Sequence, residues 1–263
     1  MNYRIILFSI FFVFICNIQC TKEDSNIVNP SDLKLYSKDF YAYVPVQNIN
    51  TVSISNSYDG IIVNGWCFQD SIRVYLYKQI HALSGDIAES HFDNITFQTN
   101  TINDTITFTI DLPIDTDEIK YHCPLYMDIP YNMLCHIVES EGSIITSQLD
   151  TILHIQNAKE EVEVENHNGS CTINSYGEIS VKMRLPDNGY CILNTISGNI
   201  DLQIPDTTSS TIYAKSDYGT VTYNGLNIEN MSYNNSILTG TLSTGQGEIN
   251  LHTQNGNITI SGL

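Results

Sequence analysis

The chain is poor in positive charge. Its 263 residues carry 11 Lys and Arg against 29 Asp and Glu, a formal net charge of −18. Only three arginines occur, Arg4, Arg73 and Arg184. Nucleic acids and anionic lipid surfaces are both gripped through basic patches, so neither is an expected partner. So few guanidinium groups also leave little scope for bidentate anion clamps. Alanine is scarce too, at five residues, while tyrosine reaches 16. That balance, with abundant Ile and Thr, favours strands over helices. Neither a Cys-x-x-Cys nor a His–Cys spacing suggests zinc, and no two histidines are spaced as in His-Glu-x-x-His. No metal, cofactor or catalytic residue is therefore assigned.

What the sequence does have is a repeat. Gly177, Gly198, Gly219 and Gly240 each open a short phrase, 21 residues after the one before. Two residues after each glycine of the repeat stand Ile144, Cys171, Ile179, Ile200, Val221, Leu242, Ile249 and Ile258, all apolar. Four residues after, the column is mostly apolar, from Ile173, Val181 and Leu202 to Leu251 and Ile260, with Thr146 and Thr244 as exceptions. The residues between are nearly all polar, as in Glu178/Ser180, Asn199/Asp201 and Thr220/Thr222, with Ile145 as the exception. Such alternation buries one face of a strand and wets the other. The glycine is expected to supply a bend, where positive φ is often needed.

Pro130, Pro186 and Pro205 form a second column, 12, 12 and 14 residues before Gly142, Gly198 and Gly219. Proline cannot donate to a ladder and ends the preceding strand. A third column, seven residues before the glycine, holds Cys135, Val162, Cys191 and Ile212. Strands this short bury a core only when stacked. The fold class is therefore all-β, a parallel β-solenoid of β-helix or β-roll type. A rung of about 21 residues suits a three-faced coil. An antiparallel sandwich with coincidental spacing is the competing architecture.

Taken in order, residues 1–19 read as a signal peptide. Arg4 is its positive end, and Ile5 to Cys16, broken only by Ser9, is an apolar run too short to span a bilayer. Residues 20–38 are a polar tether, and 39–112 a lead-in β region or N-terminal cap. In that region Ile72, Val74 and Leu76 mark a strand, and Gly85 to Asp93 the one short helix, with Asp86 near its start. Ile95 to Thr99 and Thr105 to Leu112 flank a turn at Asn103-Asp104 and read as a hairpin. Near Ile61, Ile62 and Val63 the inward register is ambiguous. Residues 113–263 are the stack itself. Beyond the leader five cysteines remain, of which Cys135, Cys171 and Cys191 fall in apolar columns and read as buried thiols.

Two resemblances add to this. Asn17-Ile18-Gln19-Cys20 resembles a bacterial lipoprotein processing site, with Gln19 in place of the usual small residue. The resemblance implies that Cys20 is lipidated, and Lys22-Glu23-Asp24 after it looks like the surface-export signal of Bacteroidetes lipoproteins. Second, an ordered set of phrases is similar to the bacterial putative-adhesin family, a β-strand-repeat domain of unknown function. The set comprises Asp59-Gly60, Gly65-Trp66, Lys78, Asp111-Leu112-Pro113 and the run Gly247 to Ile260. That family implies a β-helical envelope protein with no established catalytic residues.

The expected function is thus a non-enzymatic, lipid-anchored envelope protein of the outer membrane, surface-exposed, whose long face meets a glycan or a protein. Simple secretion is the second address. The alternative function is a polysaccharide-active β-helix lyase or hydrolase. It would draw on Asp187, Asp201, Asp206 and Asp217, with Lys182, Arg184 or Lys215 as basic partner. Ile258 to Leu263 reads as a last strand with an open edge, which implies weak self-association. For the anchor, Cys20→Ala is expected to move the protein from the membrane fraction to the soluble fraction. A variant that stays with the membrane refutes the lipid assignment.

Overall fold

The structure is a computed structural model, and it describes residues 33–263 except 58, 68–69 and 116–118. The signal peptide, Cys20 and most of the tether lie outside the described residues. The described chain opens with β1 (Lys34–Pro45), β2 (Thr51–Ser57), β3 (Ile61–Trp66) and β4 (Ser71–Ala82). A helix α1 (Gly85–Phe92) leads into the hairpin β5 (Thr96–Ile102) and β6 (Thr105–Asp111), followed by β7 (Ile119–His122) and β8 (Leu125–Pro130). Then strands come in twos: β9 (Leu134–Ser140) and β10 (Ile144–Ser147), β11 (Leu153–Ala158) and β12 (Val162–Asn168), β13 (Cys171–Ser175) and β14 (Ile179–Arg184). β15 (Tyr190–Thr195) and β16 (Ile200–Ile204), then β17 (Ser210–Ser216) and β18 (Val221–Asn224), continue the pattern. A hairpin of β19 (Ile228–Tyr233) and β20 (Ile237–Leu242) precedes the final two, β21 (Gly247–Thr253) and β22 (Ile258–Gly262).

These strands build two sheets that face each other across one core. Each rung gives one strand to each sheet, and the rungs stack in parallel. Along the first sheet the order is β1-β4-β8-β3-β10-β12-β14-β16-β22-β18, with β7 pairing β4. Along the second it is β19-β20-β17-β21-β15-β13-β11-β9-β2-β6-β5. The solenoid expected from the sequence is present, but it has two faces rather than three. The turns explain why. Residues 176–178 join β13 to β14, and 196–199 join β15 to β16, so no third strand fits in a rung.

The apolar columns are the core. In the second sheet Val52, Cys135, Leu153, Cys171, Cys191, Ile249 and Ile212 sit in register, and none is more than 3% exposed. In the first, Ile61, Ile144, Val162, Ile179, Ile200, Ile258 and Val221 do the same. The ambiguity at Ile61–Val63 resolves with Ile61 and Val63 inward and Ile62 outward, because Ile61 pairs with Ile144 and Leu125. The five cysteines among the described residues are free, with Cys67 exposed and the other four buried. Cys171 and Cys191 touch sulfur to sulfur at 3.7 Å, and burial pushes the Cys135 thiol up to about 12.

The repeat glycines act differently from the expectation. None of Gly177, Gly198 and Gly219 has positive φ. They are needed for close stacking of turn on turn. A Cβ on Gly198 would lie 2.5 Å from the Gly177 backbone, and one on Gly219 would lie 2.1 Å from the Gly256 carbonyl oxygen. Positive φ is carried mainly by asparagines, among them Asn103 and Asn188. Gly240 does not belong to the column. It lies inside β20, which runs antiparallel to β17, and a Cβ there would meet Ile228 at 2.3 Å. Its equal spacing is coincidence, and Thr244, expected inside, lies past the strand end and is exposed.

Sequence order and stacking order differ at both ends. β2 and β3 come from the 39–112 segment but form an inner rung, between β6/β8 and β9/β10. The end itself is covered by antiparallel strands, β4 and β1 on β8 and β5 on β6. The hairpin falls where the sequence places it, and α1 packs against β4 through the buried Ala88 and Phe92, capped by Ser84. At the other end β21 and β22 insert between β15/β16 and β17/β18. The open edge expected at Ile258 to Leu263 is thus wrong: β22 pairs on both sides, and Ile258 and Ile260 are 0% exposed. The last strand of the first sheet is instead the four-residue β18. It is screened by the β19–β20 connection, where Val221 donates to the Asn235 carbonyl and Tyr233 donates to the Val221 carbonyl. The self-association expected there loses its structural basis. Among the described residues no helix is long and apolar enough to cross a membrane.

Among the buried polar residues, His167 is the one that titrates near neutral pH. A register shift in β12 between Val164 and His167 turns the His167 ring inward. Its Nε2–H donates to the Ser170 carbonyl at 3.2 Å. Burial, the dominant cause, holds this imidazole below its ordinary pKa, against smaller upward pulls from the Ser170 hydrogen bond and Asp150. The unfolded chain therefore takes up the proton first as pH falls. The folded state should lose stability from about pH 6.5 downward. In His167→Gln the melting temperature should depend less on pH between 7 and 5; an unchanged slope would exclude this site as the cause. A second check concerns the columns. Ile200→Asp buries an unpaired carboxylate and should cost several kcal/mol. Thr220→Asp, at an exposed position, should cost less than about 1 kcal/mol. Equal melting shifts would contradict the register.

Candidate functional site

Because the rungs are parallel and in register, any outward position becomes a row running across the sheet. On the second sheet one such row reads Asn174, Asn194, His252 and Lys215, from β13, β15, β21 and β17. Its first three members floor a cleft of about 490 Å³. Asn174, Asn194 and His252 line the floor, and Asn157, Tyr176, Ile196 and Gln254 form the walls. Tyr176 and Ile196 stand 49% and 45% exposed. They are placed by the tight turns after β13 and β15, which the stacked glycines make possible.

The side chains are held before any ligand arrives. Asn194 Nδ2 donates to Asn174 Oδ1 at 3.0 Å, an amide ladder from rung to rung. Asp217 closes one side. It accepts from Lys215 Nζ at 2.7 Å and from His252 Nε2 at 3.1 Å. The Lys215 hydrogen bond, then that of His252, holds the Asp217 carboxyl below the usual carboxylate range. The same contact raises Lys215. Further along the face, His154 packs on Tyr190 with ring centroids 6.4 Å apart and on His136 at 6.0 Å. Burial, then the His136 charge, lowers the His154 pKa. The cleft therefore presents planar amides, an imidazole, a carboxylate and a phenol ring. That set suits neighbouring hydroxyl or amide groups, which need donors and acceptors side by side.

The acids weighed for catalysis are not brought together. Asp201 and Lys182 stand on the strands of the first sheet, β16 and β14, whereas Asp217 and Lys215 belong to the second sheet's side. Asp187 and Asp206 are exposed in the turns after β14 and β16, and Arg184 is exposed at the end of β14. Among the described residues no group of three or more His, Cys, Asp or Glu could hold a metal ion. The sequence reading missed Asn174, Asn194 and His252. Each lies three residues after a buried column member, Cys171, Cys191 and Ile249, so aligning the outward positions as well as the inward ones would have found them.

Two facing sheets of parallel rungs, capped by antiparallel strands, define a β-solenoid. The chain belongs to the Toastrack DUF4097 family, whose profile matches residues 129–261. No curated protein matches it. Among solved structures it is similar to a putative cell adhesion protein from Clostridium sporogenes ATCC 15579, at 10% identity and a TM-score of 0.48, over 86% of this chain and 100% of that one. A putative adhesin from Bacteroides fragilis NCTC 9343 aligns at 10% identity and 0.32, over 88% and 97%. A putative lipid binding protein from Parabacteroides distasonis ATCC 8503 aligns at 12% and 0.32, over 86% and 96%. Alignments this loose place no site on the chain.

Proposed function

We propose that the protein is a non-enzymatic, lipid-anchored module displayed on the cell envelope, which binds an outer-surface glycan or protein through the cleft of the second sheet. The observation that carries this is the pre-organised row Asn174–Asn194–His252 beneath the exposed Tyr176 and Ile196. A site ordered in advance loses little entropy on binding. The acidic chain repels anionic ligands, so the group bound is uncharged or cationic. Cys20 is the anchor in this reading, and Lys22-Glu23-Asp24 directs the chain to the outer surface. The polysaccharide-active enzyme is the weaker reading, because its acids Asp201 and Asp217 belong to different sheets.

Protease shaving of intact cells, joined to a glycan and surface-protein array, tests the proposal. The protein should be cleaved on whole cells, and the array should show a ligand whose affinity falls about tenfold in Asn194→Ala. Protection from protease in intact cells removes the surface address. Binding that survives both Asn194→Ala and His252→Ala removes the cleft.

A further inference from the structure

The outer face of the first sheet carries a different pattern. Near the β1 end, two neighbouring rows run across five strands. One row is Tyr41, Tyr75, Tyr126, Ile62 and Ile145, contributed by β1, β4, β8, β3 and β10. The other, two residues further along, is Tyr43, Arg73, Asp128, Asn64 and Ser147. The first is aromatic and apolar. Tyr75 and Tyr126 pack edge to face at 5.9 Å, and Tyr41 and Tyr126 remain 40% and 39% exposed. Tyr43 stands 61% exposed, with its ring 5.0 Å from that of Tyr41.

The second row is hydrogen-bonding and locked. Arg73 Nη2 meets Asp128 Oδ2 at 2.8 Å while its guanidinium lies over the Trp66 ring at 3.8 Å. Asn64 Nδ2 donates to Asp128 Oδ1 at 3.4 Å, and Ser147 Oγ donates to Asn64 Oδ1 at 2.8 Å. A continuous polar chain thus crosses four strands beside the tyrosines. Its only charges, Arg73 and Asp128, neutralise each other. On a protein of net charge −18 this is a neutral strip, and it ends at Glu163 and Glu165 of β12.

We propose that this strip binds a neutral, linear polysaccharide lying across the strands, with sugar-ring faces on the tyrosines and hydroxyl edges on the Arg73–Asp128–Asn64–Ser147 chain. The shape and chemistry of the strip fit that ligand. The aromatic surface is narrow, one row that widens at Tyr43 beside Tyr41, narrower than the apolar centre of a protein interface. It runs straight for four inter-strand steps, about 19 Å, as an extended chain does. Sugar rings have C–H faces that pack on aromatic faces, and hydroxyl edges that pair with fixed polar groups. Asp39 beside Tyr75, and Glu163 and Glu165 at the far end, border the strip with negative charge and disfavour an anionic polymer. The site is independent of the cleft, which lies on the other sheet.

Affinity electrophoresis of the full chain through gels containing a neutral linear glucan, a neutral linear mannan or the acidic polygalacturonate tests it. At least one neutral polymer should retard the protein. Retardation should weaken about tenfold in Tyr126→Ala and in Tyr43→Ala, and should be unchanged in the cleft variant Asn194→Ala. Melting temperatures check folding, and Tyr43→Ala, the most exposed ring, decides if Tyr126→Ala is destabilised. Retardation by neither neutral polymer, stronger retardation by polygalacturonate, or full retardation of Tyr43→Ala would each overturn the proposal.

Discussion

The structure depends on backbone pairing between rungs. A strand of four to seven residues has too little surface to fold alone, and its N–H and C=O groups need partners above and below. Parallel stacking provides both, and it forces every rung to keep the same register. A one-residue slip would turn a whole apolar column outward. The tight glycine turns, the proline stops and the unbroken Ile, Val, Leu and Cys columns all serve that one requirement.

Pairing leaves the two ends of the stack as its exposed weak points. The chain meets both in a similar way. It places antiparallel strands outside and returns to fill a rung inside: β2 and β3 near one end, β21 and β22 near the other. The same register rule generates the surfaces. An asparagine recurring at one outward position becomes an amide ladder, and a tyrosine recurring at another becomes an aromatic strip. Rows of this kind need no loop to shape them, which is how a repetitive scaffold comes to carry specific chemistry on faces of opposite sheets.

Much of the architecture is legible in the sequence because periodicity is a local signal. The columns from Ile144 to Ile258, the helix at Gly85 and the turn at Asn103 each follow from residues a few positions apart. What was not legible is order in space. Nothing local tells that β21 pairs with β15 before β17, or that Gly240 sits in an antiparallel hairpin despite its 21-residue spacing. Rung width was misjudged because a repeat length fixes the residues per turn and not the number of strands among them. The binding rows were hidden for a related reason. Polar residues vary freely at most outward positions, so Asn174 and Asn194, or Tyr75 and Tyr126, stand out only once the strands are set side by side.

The insertion of β21 and β22 gives the polypeptide a direction in time. They follow β17 to β20 in the sequence yet lie beneath them in the stack. A chain emerging from its amino end, from a ribosome or through an export channel, makes β15, β16, β17 and β18 before the rung that belongs between them exists. Until Gly247 to Gly262 has emerged, the facing edges of β15 and β17, and of β16 and β18, lack their native partners. Closure of that end of the core therefore waits for the last two strands, whereas the rungs from β1 to β14 have their partners without them.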